Sequence, residues 1–206
     1  MTLDDVLAGL PLIAVLRGIE PAEAVSVGEA LYTEGFTALE VTLNSPRPLD
    51  SIAALRAHFE GRMLVGAGTV LSAGEVREAA AAGAEFIVSP DANPEVIRAA
   101  KAAGLGSLPG VFTPTEAFAA LAAGARALKL FPAEASTPAA LTALLAVLPA
   151  RTKVLPVGGI EPRTMSPWRA AGAAGFGIGG ALYKPGRAPD EVRVRARAFA
   201  QAWNGE

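Results

Sequence analysis

The stretches YTEGFTALEV, AAAGAEFIVSP, KAAGLGSLPGV, LAAGARALKLFP and RAAGAAGFGIGG repeat one design: an Ala-rich or amphipathic run, a glycine, then an apolar segment. A glycine just past a helix end fits a left-handed cap, where a side chain is penalised. Gly35, Gly83, Gly104, Gly124 and Gly172 therefore each read as a helix stop followed by a strand. Extending the pattern predicts strands near 12–17, 38–43, 63–68, 86–89, 105–109, 127–131, 153–157 and 175–179. Helices fall near 21–34, 47–58, 73–82, 93–103, 114–123, 137–148, 163–171 and 189–203, and TLDDVLAG adds a short extra N-terminal helix. A capping residue or acid before a first-turn proline marks starts at SP (45–46), NP (93–94), TP (113–114 and 137–138) and EP (161–162). Eight strands alternating with eight helices predict an α/β fold closed as a (β/α)8 TIM barrel, one domain over residues 1–206. An open doubly wound sheet is the alternative; even spacing and the lack of GxGxxG after the first strand argue against it.

Composition narrows the chemistry. A chain that is 51% hydrophobic and 18% charged is not disordered, and a net charge of −2 with scattered bases predicts neither a nucleic-acid partner nor an anionic membrane surface. The absence of cysteine excludes a disulfide framework and a thiolate zinc site, and with His58 the lone histidine no metal or other cofactor is expected. His58, in ALRAHFEG, reads as a surface or capping residue near a helix end. MTLDDVLAGLPLIAVLRG has two acids and no basic n-region, and no run of about 18 apolar residues occurs, so a cytoplasmic protein is expected.

In a barrel of this kind chemistry belongs at the C-terminal ends of the strands. Counting five residues from a cap glycine leads to Glu40, Val88, Lys129 and Gly177, on strands 2, 4, 6 and 8. Alternate strands supply one interior layer, so Glu40 and Lys129 are expected to face each other with Gly177 leaving room. Two readings are open. A buried ion pair stabilises little, because desolvation offsets most of the Coulomb gain. The other reading is a lysine nucleophile with a carboxylate acid/base. Burial lowers a lysine pKa from about 10.4, the carboxylate opposes that, and desolvation must dominate if the amine is to attack a ketone. On the second reading, the apolar flanks Leu128, Leu130 and Phe131 are what keep the amine neutral.

Arg17, ending the first strand, is placed either to clamp a carboxylate or to tie loops together. In VGAGTVL, Gly66 and Gly68 allow close approach to a ligand and Thr69 offers a hydroxyl, although packing also explains glycine there. The pairs Gly158–Gly159 and Gly179–Gly180 end strands 7 and 8, where such barrels often bind phosphate; two tight turns are the alternative, and Lys184 and Arg163 are the cations nearby.

Taken together, LEVTLNSP, GAGTVL, IVSPDANPEVI, LPGVFTPTEAFAALAAGARALKLFPAE, VGGI and GIGGALYKPG resemble the class I aldolases of 2-keto-3-deoxy-6-phospho sugar acids, from about residue 11 to 187. The resemblance implies that Lys129 forms a Schiff base with the C2 ketone and that Glu40 moves protons. It implies substrate contacts from Arg17, Thr69, Asn44, Pro90, Phe131 and Val157, phosphate contacts from Gly158, Gly159, Gly179 and Gly180, and a homotrimer. Two departures bear on substrate. The gluconate-type members tend to carry Arg after the glutamate strand and Thr before the strand-7 glycines, where this chain has Asn44 and Val157. LNSP, VGG and LYKPG look more like the galactonate type, so the galactonate substrate is expected, with use of both C4 epimers the alternative. Without the extra guanidinium, Arg17 is expected to carry more of the anion recognition. Ala181 stands where the gluconate type usually has Ser, so phosphate contacts should rest on backbone N–H groups. A phosphosugar epimerase or phosphate-binding synthase on the same barrel, and a non-catalytic phosphosugar-binding module, are the competing expectations.

Overall fold

All five glycines that follow the Ala-rich runs adopt positive φ, from +74° at Gly104 to +107° at Gly124, and each turns its helix into a strand. The computed structural model describes residues 1–205. Its strands are β1 (Leu12–Leu16), β2 (Ala38–Thr42), β3 (Leu64–Gly68), β4 (Phe86–Val88), β5 (Gly106–Leu108), β6 (Gly110–Val111), β7 (Leu128–Leu130), β8 (Val154–Pro156) and β9 (Phe176–Ile178). Its helices are α1 (Leu3–Ala8), α2 (Pro21–Thr33), α3 (Pro48–His58), α4 (Ala73–Ala81), α5 (Pro94–Ala102), α6 (Pro114–Ala123), α7 (Pro138–Val147), α8 (Met165–Ala170) and α9 (Pro189–Asn204).

The pairings are parallel and form two sheets, β5-β4-β3-β2-β1-β9 and β6-β7-β8. The fold is α/β with the helices between successive strands. Only Pro109 separates β5 from β6, and a parallel bridge from Val157 to Gly177 links the end of β8 to β9.

Three local expectations change. The continuous strand expected over 105–109 is broken at Pro109, which has no N–H to give a ladder and a fixed φ. The helix expected over 163–171 is a 3-10 turn at Pro162–Thr164 leading into α8, its first turn closed by a reciprocal Glu161–Thr164 cap. The SP at 45–46 does not start a helix. α3 starts at Pro48 after Arg47 (φ 41°), because the buried Ser45 hydroxyl accepts instead from the Gly18 N–H at 2.8 Å. The NP and TP starts are capped by Asn93, Thr113 and Thr137 side chains. A 3-10 turn at Ala133–Ala135 also lies in what the pattern leaves as a connection.

Two apolar clusters hold the molecule. The larger lies between strands and helices and includes Leu12, Leu39, Leu128 and Leu130. The smaller gathers Ile13, Ala38, Leu64, Phe86, Leu108 and Leu155 from the inner strand faces, and Leu3 and Val6 of α1 pack into it. α1 thus covers the N-terminal ends of the strands, leaving their C-terminal ends for the site.

Candidate active site

Among the described residues Glu40 and Lys129 are the only charged side chains in the buried interior, 2% and 6% exposed. Glu40 is central in β2, in register with Val15 and Gly66; Lys129 is central in β7, in register with Gly110 and Leu155. Both line one interior void of about 10 Å³, together with Val88 and Gly177. These are the four positions reached by the five-residue count from the cap glycines. A void that size approaches the space one water needs. Glu40 Oε2 has no hydrogen-bond partner, so a polar atom faces an interior with nothing to bind it.

The walls around the pair decide its ionisation. Burial lowers the Lys129 pKa, the Glu40 carboxylate opposes that, and Arg17 adds to the lowering. Burial raises the Glu40 pKa, and the charges of Lys129 and Arg17 pull it back in part. No N–O contact of 4.0 Å or less makes them an ion pair. Both shifts favour an uncharged amine beside an uncharged carboxyl. The apolar surroundings differ from those expected from the chain. Leu128 and Leu130 point outward into the helix-facing core, since successive strand residues alternate faces. The groups that share the void are Ile13, Val15, Leu108, Leu155 and Val157. Phe131, two residues on, keeps the expected place, its ring centre 4.5 Å from Lys129 Nζ.

Glycine serves the site from below. A Cβ on Gly68 would come 2.8 Å from the Glu40 carboxyl carbon, so Gly68 makes room for this carboxyl rather than for a ligand. Gly66 does the same for the Phe86 ring, 2.5 Å from such a Cβ.

Above the void lies a cleft of about 940 Å³, lined by Arg17, Lys129, Phe131, Val157 and the pairs Gly158–Gly159 and Gly179–Gly180. Val15, Lys129 and Val157 border both spaces. Arg17 Nη1 donates to Asn44 Oδ1 at 2.8 Å and Nη2 to Thr69 Oγ1 at 3.3 Å. Ser45 holds the adjoining chain, taking the Gly18 N–H and lying 3.0 Å from the Thr42 hydroxyl. Asn44 and Thr69 are therefore tied to the cleft through the guanidinium and do not line it themselves. Pro90 is outside the lining, its carbonyl packed against Gly110. His58 is remote from the cleft and pairs with Glu29 at 2.5 Å.

Arg163 and Lys184 reach the cleft wall, and so do Arg187 and Arg195, which sequence reasoning passed over. A signal was present. Residues 184–197 carry five cations, Lys184, Arg187, Arg193, Arg195 and Arg197, against Asp190 and Glu191. No group of three or more potential metal ligands occurs among the described residues. No helix there is long and apolar enough to cross a membrane.

A parallel α/β framework with a cleft at its strand ends, and a buried amine and carboxyl beneath that cleft, has the make-up of an aldolase of the lysine type. The family model "Aldolase: KDPG and KHG aldolase" matches residues 3–195, and the chain belongs to this family. It is 46% identical over 194 residues to a "Probable 2-dehydro-3-deoxy-6-phosphogalactonate aldolase" of Rhizobium meliloti, covering 94% of this chain and 92% of that one. It is 45% identical to the 2-dehydro-3-deoxy-6-phosphogalactonate aldolase of Escherichia coli, over 94% of this chain and 95% of the relative. A solved structure described as "Native KDPGal structure" superposes with a TM-score of 0.94 at 44% identity over 95% of each chain.

Proposed function

We propose that the chain cleaves 2-dehydro-3-deoxy-6-phosphogalactonate reversibly to pyruvate and D-glyceraldehyde 3-phosphate through a Schiff base on Lys129. The observation that carries this is the Lys129–Glu40 pair: two buried groups on one void, both biased by burial toward their uncharged forms.

That bias sets the order of proton transfers. The uncharged Lys129 amine attacks C2 of the ketone, and a proton passes from nitrogen to the former carbonyl oxygen, giving a carbinolamine. The Glu40 carboxyl then gives its proton to the departing hydroxyl, water leaves, and a cationic imine remains beside a carboxylate. The new fixed positive charge lowers the Glu40 pKa just as it must act as a base. Glu40 takes the C4 hydroxyl proton, the C3–C4 pair of electrons moves into the imine, and the aldehyde departs from an uncharged enamine. Glu40 returns the proton to C3, and water hydrolyses the imine to free pyruvate and the amine.

Arg17 binds the acid end and hydroxyls of the substrate, a reading supported by its hold on Asn44 and Thr69 at the cleft. Phe131 and Val157 line the substrate's path, Pro90 supports the β5–β6 wall, and Gly158, Gly159, Gly179 and Gly180 receive the phosphate through backbone N–H groups. The galacto epimer is the preferred substrate: the relatives at 46% and 45% identity carry that name, and Asn44 and Val157 stand where the gluconate type tends to have Arg and Thr. The two sheets are best read as one closed (β/α)8 barrel over a single domain, residues 1–206. The fifth strand is interrupted at Pro109, and the Val157–Gly177 bridge is the seam between its last two strands. The family resemblance supports a homotrimer and a cytoplasmic setting, the first of which sedimentation measures.

Incubation with pyruvate, borohydride reduction and peptide mapping test the mechanism. A reduced adduct on Lys129 is expected; no adduct, or one on another lysine, overturns it. Comparison of kcat/KM on the two C4 epimers tests the substrate, and a strong gluco preference reverses the reading of Asn44 and Val157.

A further inference from the structure

The Gly179–Gly180 turn is gripped from outside by two arginines that the proposed reaction does not use. Arg187 Nη1 lies 2.9 Å from the Leu182 carbonyl oxygen, 3.3 Å from that of Gly180 and 3.5 Å from that of Ala181. Arg195 Nη1 adds a bond to the Ala181 carbonyl at 3.2 Å. The Arg187 side chain is only 11% exposed, so its contacts are made largely out of water. Glu191 steadies both guanidiniums, at 3.6 Å from Arg187 Nε and 3.3 Å from Arg195 Nη2.

A trans peptide points its carbonyl and the following N–H in opposite directions. Drawing the Gly180 carbonyl toward Arg187 therefore turns the Ala181 N–H the other way. The Gly179 carbonyl accepts from the N–H groups of Leu182 at 2.8 Å and Tyr183 at 3.0 Å, which directs the Gly180 N–H away from it. Among the described residues neither the Gly180 nor the Ala181 N–H donates to a backbone acceptor. A Gly-Gly turn flips its peptides readily, and one flip would present a carbonyl oxygen to an incoming anion. Something outside the turn has to fix its sense.

We propose that Arg187, assisted by Arg195, braces this turn so that its free N–H groups meet the phosphate of the substrate. Both are positioning residues that set the preference for phosphorylated over unphosphorylated keto acid. Arg195 Nε is buried without an acceptor, so the Ala181 carbonyl and Glu191 are what hold this guanidinium against the turn. The proposal rests on reading the two glycine pairs as the phosphate site.

The test compares wild type, Arg187→Met and Arg187→Lys on 2-keto-3-deoxy-6-phosphogalactonate and on its unphosphorylated counterpart. Pyruvate–borohydride trapping on Lys129 reports the state of the reacting centre. In Arg187→Met the KM for the phosphorylated acid is expected to rise about tenfold or more, the loss of one or two charged hydrogen bonds, while kcat and trapping stay within about twofold. The unphosphorylated acid should be nearly indifferent to the change. Arg187→Lys, which keeps the charge but has no planar fork, should fall between the two, and it decides the matter if the Met variant does not fold. A Lys variant equal to wild type means that charge suffices and overturns the brace. An equal loss on both substrates means a general structural role and does the same, as does no loss on either. A wild-type enzyme that does not distinguish the two acids instead removes the phosphate site itself, a failure separate from that of the arginines.

Discussion

Lys129 is in a place that costs the fold. At 6% exposure its amine can hold a proton only at the cost of desolvation, the Phe131 ring centre lies 4.5 Å from its Nζ, and no ion pair offsets that cost. Replacement by an apolar side chain of similar length should remove that cost, since buried charges exchanged for packed apolar groups are often stabilising. Lys129→Met is therefore expected to lose all aldolase activity and to gain about 1–3 kcal/mol of stability near neutral pH. The gain has a sign in pH. The folded-state pKa of Lys129 lies below its unfolded value, so between the two the unfolded chain binds more protons and wild-type stability rises with pH. The advantage of Lys129→Met should shrink as pH climbs through the folded-state pKa toward about 10.4, which urea titrations at several pH values measure. An advantage that grows with pH would mean that the lysine is stabilised as a cation. Gly68 carries a second prediction. Its missing Cβ is what leaves the Glu40 carboxyl in place, so Gly68→Ala should displace the acid/base and cut kcat about 10- to 100-fold with the chain still folded, as steady-state kinetics and circular dichroism would show.

At the scale of elements, α1 and the strand interruption show what each part contributes. Leu3 and Val6 of α1 are 6% and 1% exposed and pack into the inner cluster at the N-terminal ends of the strands, on the side away from the cleft. Leu3→Ala should therefore cost about 2–3 kcal/mol of stability and leave the KM unchanged, a separation that chemical denaturation and kinetics read together. A large KM change would mean that the two ends are coupled. Helix stops were legible in the chain because a C-cap glycine is a local requirement, written in one residue. The shared layer of Glu40, Val88, Lys129 and Gly177 was legible because each junction repeats the same step from cap to strand. The outward turn of Leu128 and Leu130 follows from strand alternation, but only once Lys129 is known to face inward. The role of Ser45 was not legible as a cap or otherwise, since its partner is the Gly18 N–H, 27 residues away. For Arg187 and Arg195 the run of cations over 184–197 was legible, but their partners were not, because the acceptors are backbone carbonyls, which carry no sequence signature.

For the molecule as a whole, the first and last parts of the chain must be fastened together, because β1 lies between β2 and β9. Three devices do this. β1 and β9 pair through Leu12–Phe176, Ile13–Gly177 and Ala14–Ile178. Arg197 of α9 grips Glu34 at the end of α2 with two bonds, at 2.8 and 3.0 Å. The Tyr183 hydroxyl donates to the Glu23 carboxylate, joining the segment after β9 to the first turn of α2; burial and that carboxylate push the phenol above its ordinary range, so it stays protonated as a donor. The backbone N–H of the same tyrosine belongs to the Gly179 turn, so the seam of the fold and the proposed phosphate loop share one residue. Removing only the hydroxyl separates the two duties. Tyr183→Phe should lower stability by about 1 kcal/mol, a fall of roughly 2–4 °C in Tm for a chain this size. Amide exchange should quicken at the β1–β9 seam before it does in β2 and β3, because the lost bond is local to that seam. Trapping of pyruvate on Lys129 should proceed at the wild-type rate, since the Lys129 void has no Tyr183 contact. If exchange instead quickened evenly across the strands, the Tyr183–Glu23 bond would belong to the global stability of the fold and not to its closure.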